Sequence, residues 1–241
     1  TISRTEINGS TIAGNNTHCV YISGESTAGS SNITIEYCEL YDGQTCGIQM
    51  NPNSGSFPIT GVVIRYNTIR NNEIGIGDYG SNGTQIIYNY VYDNNGIDFY
   101  NDSQGYGRMI NADIWHNTFY NPAAGWGEIV AFYFADNLDF RNNIVMDTGS
   151  SMSASGAINS TFDYNQYNCG SYDYGAFGSW SYAGANDQVG DPLFNNTGTF
   201  DLRLTGSSPA IDEGVDLGFD YVDTPGVGTG IADMGADEYT P

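Results

Sequence analysis

Acidic side chains in the middle of the chain are the residues whose types and spacing suggest chemistry. Asp78, Asp98 and Glu128 follow one another at intervals of 20 and 30 residues, and Asp102 and Arg108 come soon after Asp98. Paired carboxylates act as general acid and base in glycoside cleavage, and grouped carboxylate oxygens also bind calcium. We favour a third interpretation, solvated loop acids, because the chain carries 28 Asp and Glu residues.

Further candidates lie outside this group. Tyr41, Tyr92 and Tyr120 share one position of the repeat described below, which points them outward, where aromatic rings stack on sugars or bury in a protein interface. Stacking between coils for stability alone is an equally good interpretation. Acidic residues of the glycine-rich C-terminal stretch would suit calcium, although no EF-hand spacing is present: Asp212, Asp216, Asp220, Asp223 and Asp233.

The element that must position these residues is a repeat with asparagine at its centre. Around Asn67, apolar residues stand three places before and two places after, at Ile64 and Ile69. The same frame recurs, with Cys38 and Ser10 in place of the asparagine upstream, at positions 10, 38, 67, 89, 117, 143 and 165. A turn residue usually follows four places later, and then another short apolar strand.

A period of 20 to 30 residues built from strands and turns predicts a β-solenoid. We therefore expect an all-β fold, a single-stranded parallel β-helix of about seven coils with three short strands per coil. The asparagines would lie at bends, where left-handed backbone is tolerated, and would hydrogen-bond from coil to coil inside. His116 aligns with Tyr37, Tyr66 and Tyr88, which indicates a packing position. A β-sandwich rich in Asn turns fits this recurrence less well.

These coils resemble the right-handed parallel β-helix repeats of the pectin-lyase-like superfamily. The C-terminal stretches VGDPLF (189–194), FDLRL (200–204), SPAIDEG (208–214) and DMGADEY (233–239) look like the closing segment of many secreted β-helix proteins. The resemblance implies the right-handed fold and an extracytoplasmic setting. It does not imply an activity, because the superfamily includes lyases, hydrolases, epimerases, adhesins and surface proteins.

The domain organisation follows from the repeat. Residues 1–168 are expected to form the coils, residues 169–188 a Gly/Tyr/Ser-rich loop, and residues 189–241 a closing segment of the same domain. The longest insertions follow the third strand of their coils, so they should gather at one edge and border a groove.

The register of the repeat predicts the pairing and burial of the four cysteines. Cys19 aligns with Gly47, one place from Cys46 on the next coil, and neighbouring coils lie about 4.8 Å apart, so a Cys19–Cys46 disulfide is expected. Cys38 takes the asparagine position and is expected to be a buried thiol. Cys169 lies about 24 Å away from it at that spacing, which leaves a thiol or a link between chains.

Composition narrows the classes of partner and compartment. The net charge is −22 and all six basic residues are arginine, so the surface would repel nucleic acid and other polyanions. No apolar run has the length of a membrane span. The chain begins TISRTEING without methionine, which favours a processed, extracellular or cell-surface protein. N-glycosylation sequons would permit glycans at Asn8, Asn15, Asn32, Asn82, Asn101, Asn159 and Asn195.

The resemblance implies several kinds of catalytic group, and this chain has the residues for only some of them. A lysine base is excluded because the chain has no lysine, and no local match to the Asp motifs of polygalacturonase-like hydrolases is present. An arginine base with bound calcium remains, as does a loose acidic set of Asp78, Asp98 and Glu128 with Arg108.

Three functions stay open. The preferred one is a non-catalytic extracellular assembly protein, a filament, sheath or coat subunit, because the first coil begins almost at residue 1 with no amphipathic helix to cover it. The alternatives are a polysaccharide lyase or glycoside hydrolase, and a carbohydrate-binding or adhesin module. Expected partners are further copies of the chain or a polysaccharide, and calcium is the one expected cofactor.

Overall fold

Short parallel strands succeed one another in a fixed order along the chain. The computed structural model describes residues 1–9, 17–24, 29–53, 58–121, 125–173, 184–218 and 232–236. Over these residues the strands pair almost wholly with strands one coil earlier and one coil later, which confirms the all-β parallel β-helix.

Three faces and one narrow strip make up each coil. The first face stacks seven strands and thus six complete turns: Ile2–Ser3, Thr34–Glu36, Val63–Arg65, Gln85–Ile87, Asp113–Trp115, Asp139–Arg141 and Thr161–Asp163. The second face contains Glu6–Asn8, Glu39–Tyr41, Thr68–Arg70, Tyr90–Tyr92, Thr118–Tyr120, the beginnings of Ile144–Ser153 and Gln166–Asp173, and Gln188–Val189.

The third face lies beyond the next bend and joins the second through the two long strands. It contains Val20–Ser23, Cys46–Asn51, Ile74–Asp78, Ile97–Asn101, Glu128–Phe132 and the ends of Ile144–Ser153 and Gln166–Asp173. The fourth strip, which the sequence pattern did not indicate, has two-residue strands at Ser30–Ser31, Ile59–Thr60, Met109–Ile110, Ala135–Asp136 and Ala157–Ile158, with Asn82 bridging two of them.

The core consists of the central residues of the strands, stacked coil on coil. On the first face the stacked residues are Ile35, Ile64, Ile86, Ile114, Phe140 and Phe162, nearly all fully buried. Each such side chain contributes roughly 1.5–3 kcal/mol by leaving water. One coil alone has no second layer to cover this row, so the coils are stable only as a stack.

The predicted asparagine ladder runs along the bend between the first and second faces. Asn67 Oδ1 accepts a hydrogen bond from the backbone nitrogen of Cys38 at 2.9 Å. Asn89 Oδ1 in turn accepts from the nitrogen and Nδ2 of Asn67, both at 3.0 Å, and the pattern repeats through Asn117, Asn143 and Asn165. Because each amide both donates and accepts, the ladder satisfies the buried backbone at every bend.

Aromatic rings also stack from coil to coil, at the residue that immediately precedes each ladder position. Tyr37, Tyr66, Tyr88 and His116 all have positive φ angles of 53° to 57°, and their rings lie 4.6 to 5.3 Å apart and nearly parallel. His116 therefore has the packing position that its alignment predicted. Burial lowers the pKa of this histidine to about 4.

The C-terminal segment folds back over the second face. Phe194–Asn196 and Asp201–Leu204 pair as an antiparallel hairpin around a short 3-10 turn at Thr197–Thr199. Beyond it, Met234 is fully buried and the backbone nitrogen of Gly235 donates to Asn142 O at 2.7 Å. The boundary proposed at residue 168 falls inside the strand Gln166–Asp173. None of the described residues forms a helix that is long and apolar enough to cross a membrane.

Candidate functional site

Asp78 lies inside the β-helix and not on its outer surface. It is fully buried at the end of its strand, where it accepts hydrogen bonds from the backbone nitrogens of Gly80 and Ser81, both at 2.9 Å, and from the Ser81 hydroxyl. Desolvation raises the pKa of Asp78 while these bonds oppose the rise. Its contacts are those of a residue that closes a turn.

Asp98 also points inward, at the bend between the second and third faces. The aligned positions on the two preceding coils are Gly47 and Gly75, and a Cβ at Gly75 would lie 2.5 Å from Asp98 O. A second amide ladder leads to it: Gly43 nitrogen donates to Asn72 Oδ1, Asn72 donates to Asn94 Oδ1, and Asn94 Nδ2 donates to Asp98 Oδ1 at 2.8 Å. The interior location separates Asp98 from the outward-facing acids.

Glu128 and Asp102 do face outward, on the third face, and each meets a tyrosine. The Tyr133 hydroxyl donates to Glu128 Oε2, and the Tyr100 hydroxyl donates to Asp102 Oδ2 at 3.1 Å. Burial, with the negative charges of Asp102 and Glu128, raises the pKa of Tyr100 to about 12. The two acids that the sequence placed near the third strand thus share one surface.

Trp126 completes this surface, which we call the third-face cluster: Glu73, Tyr100, Asp102, Trp126, Glu128 and Tyr133. The Trp126 ring stands edge-on to Tyr100 at 5.4 Å, and its Nε1 donates to Glu73 Oε1 at 3.0 Å. Its side chain is 46% exposed. Exposed aromatic rings flanked by carboxylates can stack on a sugar and accept bonds from its hydroxyls.

A cleft of about 580 Å³ opens beside the early coils of the same face. His18, Tyr21, Thr45, Gln49, Tyr79 and Gln104 line it. Tyr21 is 43% exposed, and burial lowers the pKa of His18. Neither this cleft nor Trp126 was predicted from the sequence, because no repeat position marks the loop residues Thr45, Gln104 and Trp126.

Arg108 lies away from the third-face cluster. Its Nη2 donates to the main-chain oxygens of Ala135 and Gly156, and its guanidinium lies 5.8 Å from the centre of the Phe134 ring. It therefore ties together successive coils of the fourth strip. The structure does not bring Arg108 together with Asp78, Asp98 and Glu128 as one catalytic group.

The tyrosine row has the predicted register but is only partly open. Tyr41, Tyr92 and Tyr120 align through Arg70, whose guanidinium lies 4.4 Å from the Tyr41 ring centre.

The hairpin of the closing segment covers the later part of this row. Phe200 stacks on Tyr92 at 4.9 Å, and Phe194 and Phe200 both pack edge-on against Tyr120. Tyr92 and Tyr120 accordingly belong to a hydrophobic cluster of the chain's own C-terminal segment, and Tyr41 remains outside it.

The described C-terminal acids accept hydrogen bonds from backbone nitrogens. Asp233 Oδ1 accepts from the Asp212 nitrogen at 2.7 Å, and Asp216 Oδ1 accepts from Gly218 nitrogen at 2.8 Å. Asp220 and Asp223 lie outside the described residues. Over the described ranges, no group of three or more His, Cys, Asp or Glu side chains converges to hold a metal.

The predicted Cys19–Cys46 disulfide is wrong for this structure, in which both residues are thiols. Cys19 Sγ donates to Tyr41 O at 3.3 Å and packs toward the core. Cys46 belongs to a cluster on the outer side of the third face with Ile74 and Ile97. The two side chains leave the sheet on opposite sides, so alignment within one residue did not bring their sulfur atoms together. Cys38 is buried as expected.

The sequons differ in accessibility. Asn101 is fully buried, and its Nδ2 and Oδ1 bond to Asp78 O at 2.9 Å and Phe134 nitrogen at 3.0 Å. Asn32, Asn159 and Asn195 are exposed, and Asn8 and Asn82 are half-buried. Asn15 lies outside the described residues.

Over the described residues, strand pairing at each end of the coil stack reaches in one direction only. The first-coil strands Ile2–Ser3, Glu6–Asn8 and Val20–Ser23 have their strand partner on the following coil. At the other end, Ala157–Ile158 and Gln188–Val189 have theirs on the preceding coil, whereas residues 184–186 lie against the edge of Thr161–Asp163, where the backbone nitrogen of Asn186 donates to Asp163 Oδ1 at 2.8 Å. Ile158 and Val189 are 40% and 56% exposed. Such edges are templates for pairing with another chain.

Comparison with known proteins agrees with this architecture. The family model described as "Right handed beta helix region" matches residues 27–212, more than half of the chain. No curated protein matches the chain at a significant level. The match confirms the resemblance at the level of the fold.

Proposed function

The chain belongs to the right-handed β-helix family, and we propose that it assembles head to tail through its coil ends into an extracellular filament, sheath or coat. The observation that carries this proposal is the matching pair of open ends. Each end offers parallel strand edges from the second and fourth rows of the coil in the same polarity. A second copy is therefore the natural complement of either end.

The mode of contact explains why assembly would not stop at a dimer. When the last coil of one copy meets the first coil of another, both molecules keep one free end. Such heterologous contacts generate open filaments unless a rotation closes them into a ring. Val189, which is in register with the core residue Tyr167, would leave water at the junction, and repeat proteins that stay monomeric usually cover their ends with polar caps.

Electron microscopy and light scattering over a concentration series test the proposal. We expect ordered filaments of the unmodified chain, and loss of assembly in Val189→Asp, which places a charge on an exposed end position without disturbing the core. Trp126→Asp is the matched control, since this exposed aromatic residue lies on the side of the stack. Monodisperse monomers of the unmodified chain at the highest concentration, with and without calcium, would refute the proposal.

The third-face cluster favours a second function, the binding of a neutral polysaccharide. Trp126 exposes its ring beside Glu73, and Asp102 and Glu128 lie on the same face in contact with Tyr100 and Tyr133. A carboxylate-lined surface on a chain of charge −22 disfavours uronate polymers without a bridging cation.

Affinity electrophoresis against neutral glycans separates binding from catalysis. Binding that falls about tenfold or more in Trp126→Ala, and not in Tyr41→Ala on the second face, would support the cluster as a sugar platform. Release of reducing ends that stops in Glu128→Gln would indicate a hydrolase. Absence of binding to any glycan would remove this second function.

A further inference from the structure

Two buried carboxylates end the second amide ladder. Asp98 is 0% exposed and Asp147 is 2% exposed. Asp98 Oδ1 accepts from Asn94 Nδ2 at 2.8 Å and lies 3.4 Å from Asn121 Nδ2. Asp147 Oδ1 accepts from Gly149 nitrogen at 2.8 Å. The Oδ2 atoms of both carboxylates are buried and have no hydrogen-bond donor among the described residues.

Asn121 links the two acids across adjacent coils. Its side chain reaches Asp98, and its backbone nitrogen donates to Met146 O, immediately before Asp147, at 3.2 Å. The negative charge of Asp147 adds to desolvation in raising the pKa of Asp98. The two carboxylates are therefore close enough to repel each other inside the protein.

No basic group in the described part of the chain compensates this charge. The salt bridges there join Arg65 to Glu36, Arg70 to Glu39, Arg141 to Asp139 and Arg203 to Asp201, and none involves Asp98 or Asp147. Burying a carboxylate without a compensating charge is unfavourable. A bound cation or a proton would compensate this charge.

We propose that Asp98 and Asp147 bind a calcium ion at the bend between the second and third faces. The buried Oδ2 atoms of the two acids offer oxygen as the ligand atom, and calcium is a hard cation that accepts carboxylate, amide and main-chain oxygens. Two carboxylates also neutralise one divalent ion. This site is separate from the C-terminal acids, for which the sequence predicted calcium binding.

Metal binding to the intact chain tests the proposal. Protein freed of metal with a chelator is titrated with calcium during thermal unfolding, and with terbium in a luminescence assay. We expect calcium to raise the Tm of the unmodified chain. Asp98→Asn and Asp147→Asn should each weaken terbium binding at least about tenfold. Mutation of residues that only contact the metal ligands can already cause a loss of this size.

Asp78→Asn is the matched control, because Asp78 is an equally buried acid whose hydrogen bonds come from its own turn. It should keep the calcium response even if its Tm is lower. If Asp98→Asn does not fold, Asp147→Asn carries the test, since Asp147 lies beside the exposed Gly149.

Two results would overturn the site. A calcium response that persists in Asp147→Asn would place the ion elsewhere, with Asp212→Asn showing whether the C-terminal acids hold it. An unmodified chain that does not respond to calcium, together with asparagine variants of higher Tm at neutral pH, would show that the pair shares a proton.

Discussion

Asp187 closes the first asparagine ladder, and its replacement by asparagine gives a quantitative test of how the ladder is built. Its Oδ1 accepts hydrogen bonds from the nitrogen and Nδ2 of Asn165 at 2.8 and 3.2 Å. Its Oδ2 accepts from Gly184 nitrogen at 3.0 Å. Although these bonds favour the charged form, burial outweighs them and raises the pKa of Asp187 from 3.8 to about 6.

The sign and size of the effect follow from linkage. Because the folded state holds the proton more tightly than the unfolded state, this group's contribution to stability is fully present below about pH 4. It is lost as pH rises through about 6. The difference of roughly two pKa units corresponds to about 3 kcal/mol. Asp187→Asn removes the titration, so its stability relative to the unmodified chain should improve by that amount between pH 4 and pH 7.5.

Urea denaturation followed by circular dichroism at several pH values measures this change. The variant loses the bond from Gly184, which lowers its stability by about 1–3 kcal/mol at every pH, so the test is the slope of the difference and not its absolute value. Asp191→Asn, an exposed acid that caps Leu193 nitrogen, controls for removing one charge from an acidic chain. A stability difference that stays constant from pH 4 to 7.5 would refute the argument that burial controls Asp187.

Three further predictions concern the remaining coils. His116, with its pKa lowered to about 4, contributes stability above pH 6.5 that is lost as pH falls through about 4, so His116→Phe should remove about 3 kcal/mol of acid sensitivity in urea titrations. Asn117→Ala should cost roughly 3 kcal/mol or more, because five hydrogen bonds end on that buried amide. Asn95→Ala, a change at an exposed asparagine, should cost less than about 1 kcal/mol when measured alongside. After secretory expression, glycopeptide mapping should find Asn101 unmodified because it is fully buried, whereas the exposed Asn195 is open to modification; a glycan on Asn101 would contradict the buried position.

The repeat was predictable because its signal is local and periodic. Asn67, Asn89 and Asn117 share apolar neighbours at fixed offsets, and the same offsets place their amides at one bend of the β-helix. Asp187 carries the same signal, since it follows Asn165 by 22 residues, the spacing that separates Asn67 from Asn89. An aspartate at the asparagine position of the repeat therefore indicates where the ladder ends.

Side-chain direction on the third face was not predictable from alternation. In strand Cys46–Asn51 the neighbouring residues Gly47 and Ile48 both lie toward the interior, because the chain is still turning at Gly47. Asp98 is aligned with Gly47 and therefore also lies in the interior, whereas Cys46, one place earlier, lies outside. An assignment that assumes strict alternation places both on the wrong side.

Contacts made by the closing segment were also beyond the repeat pattern. Phe200 covers Tyr92, and Val215 bonds to Asn142, 73 residues away. Such contacts depend on where a single non-repeating segment folds back, and no periodicity encodes that path. The outward direction of the tyrosine row was therefore predictable, whereas its partial covering was not.

The chemistry of asparagine gives the coil stack a direction. Each ladder amide accepts from the preceding coil and has an N–H group that donates to the following coil, as Asn143 does toward Asn165. A carboxylate only accepts, so Asp187 can end the series without leaving an unpaired side-chain donor. In the proposed head-to-tail contact, the coil end that carries Asp187 would meet the first coil of the next copy, and protonation of Asp187 would remove a buried charge from that junction.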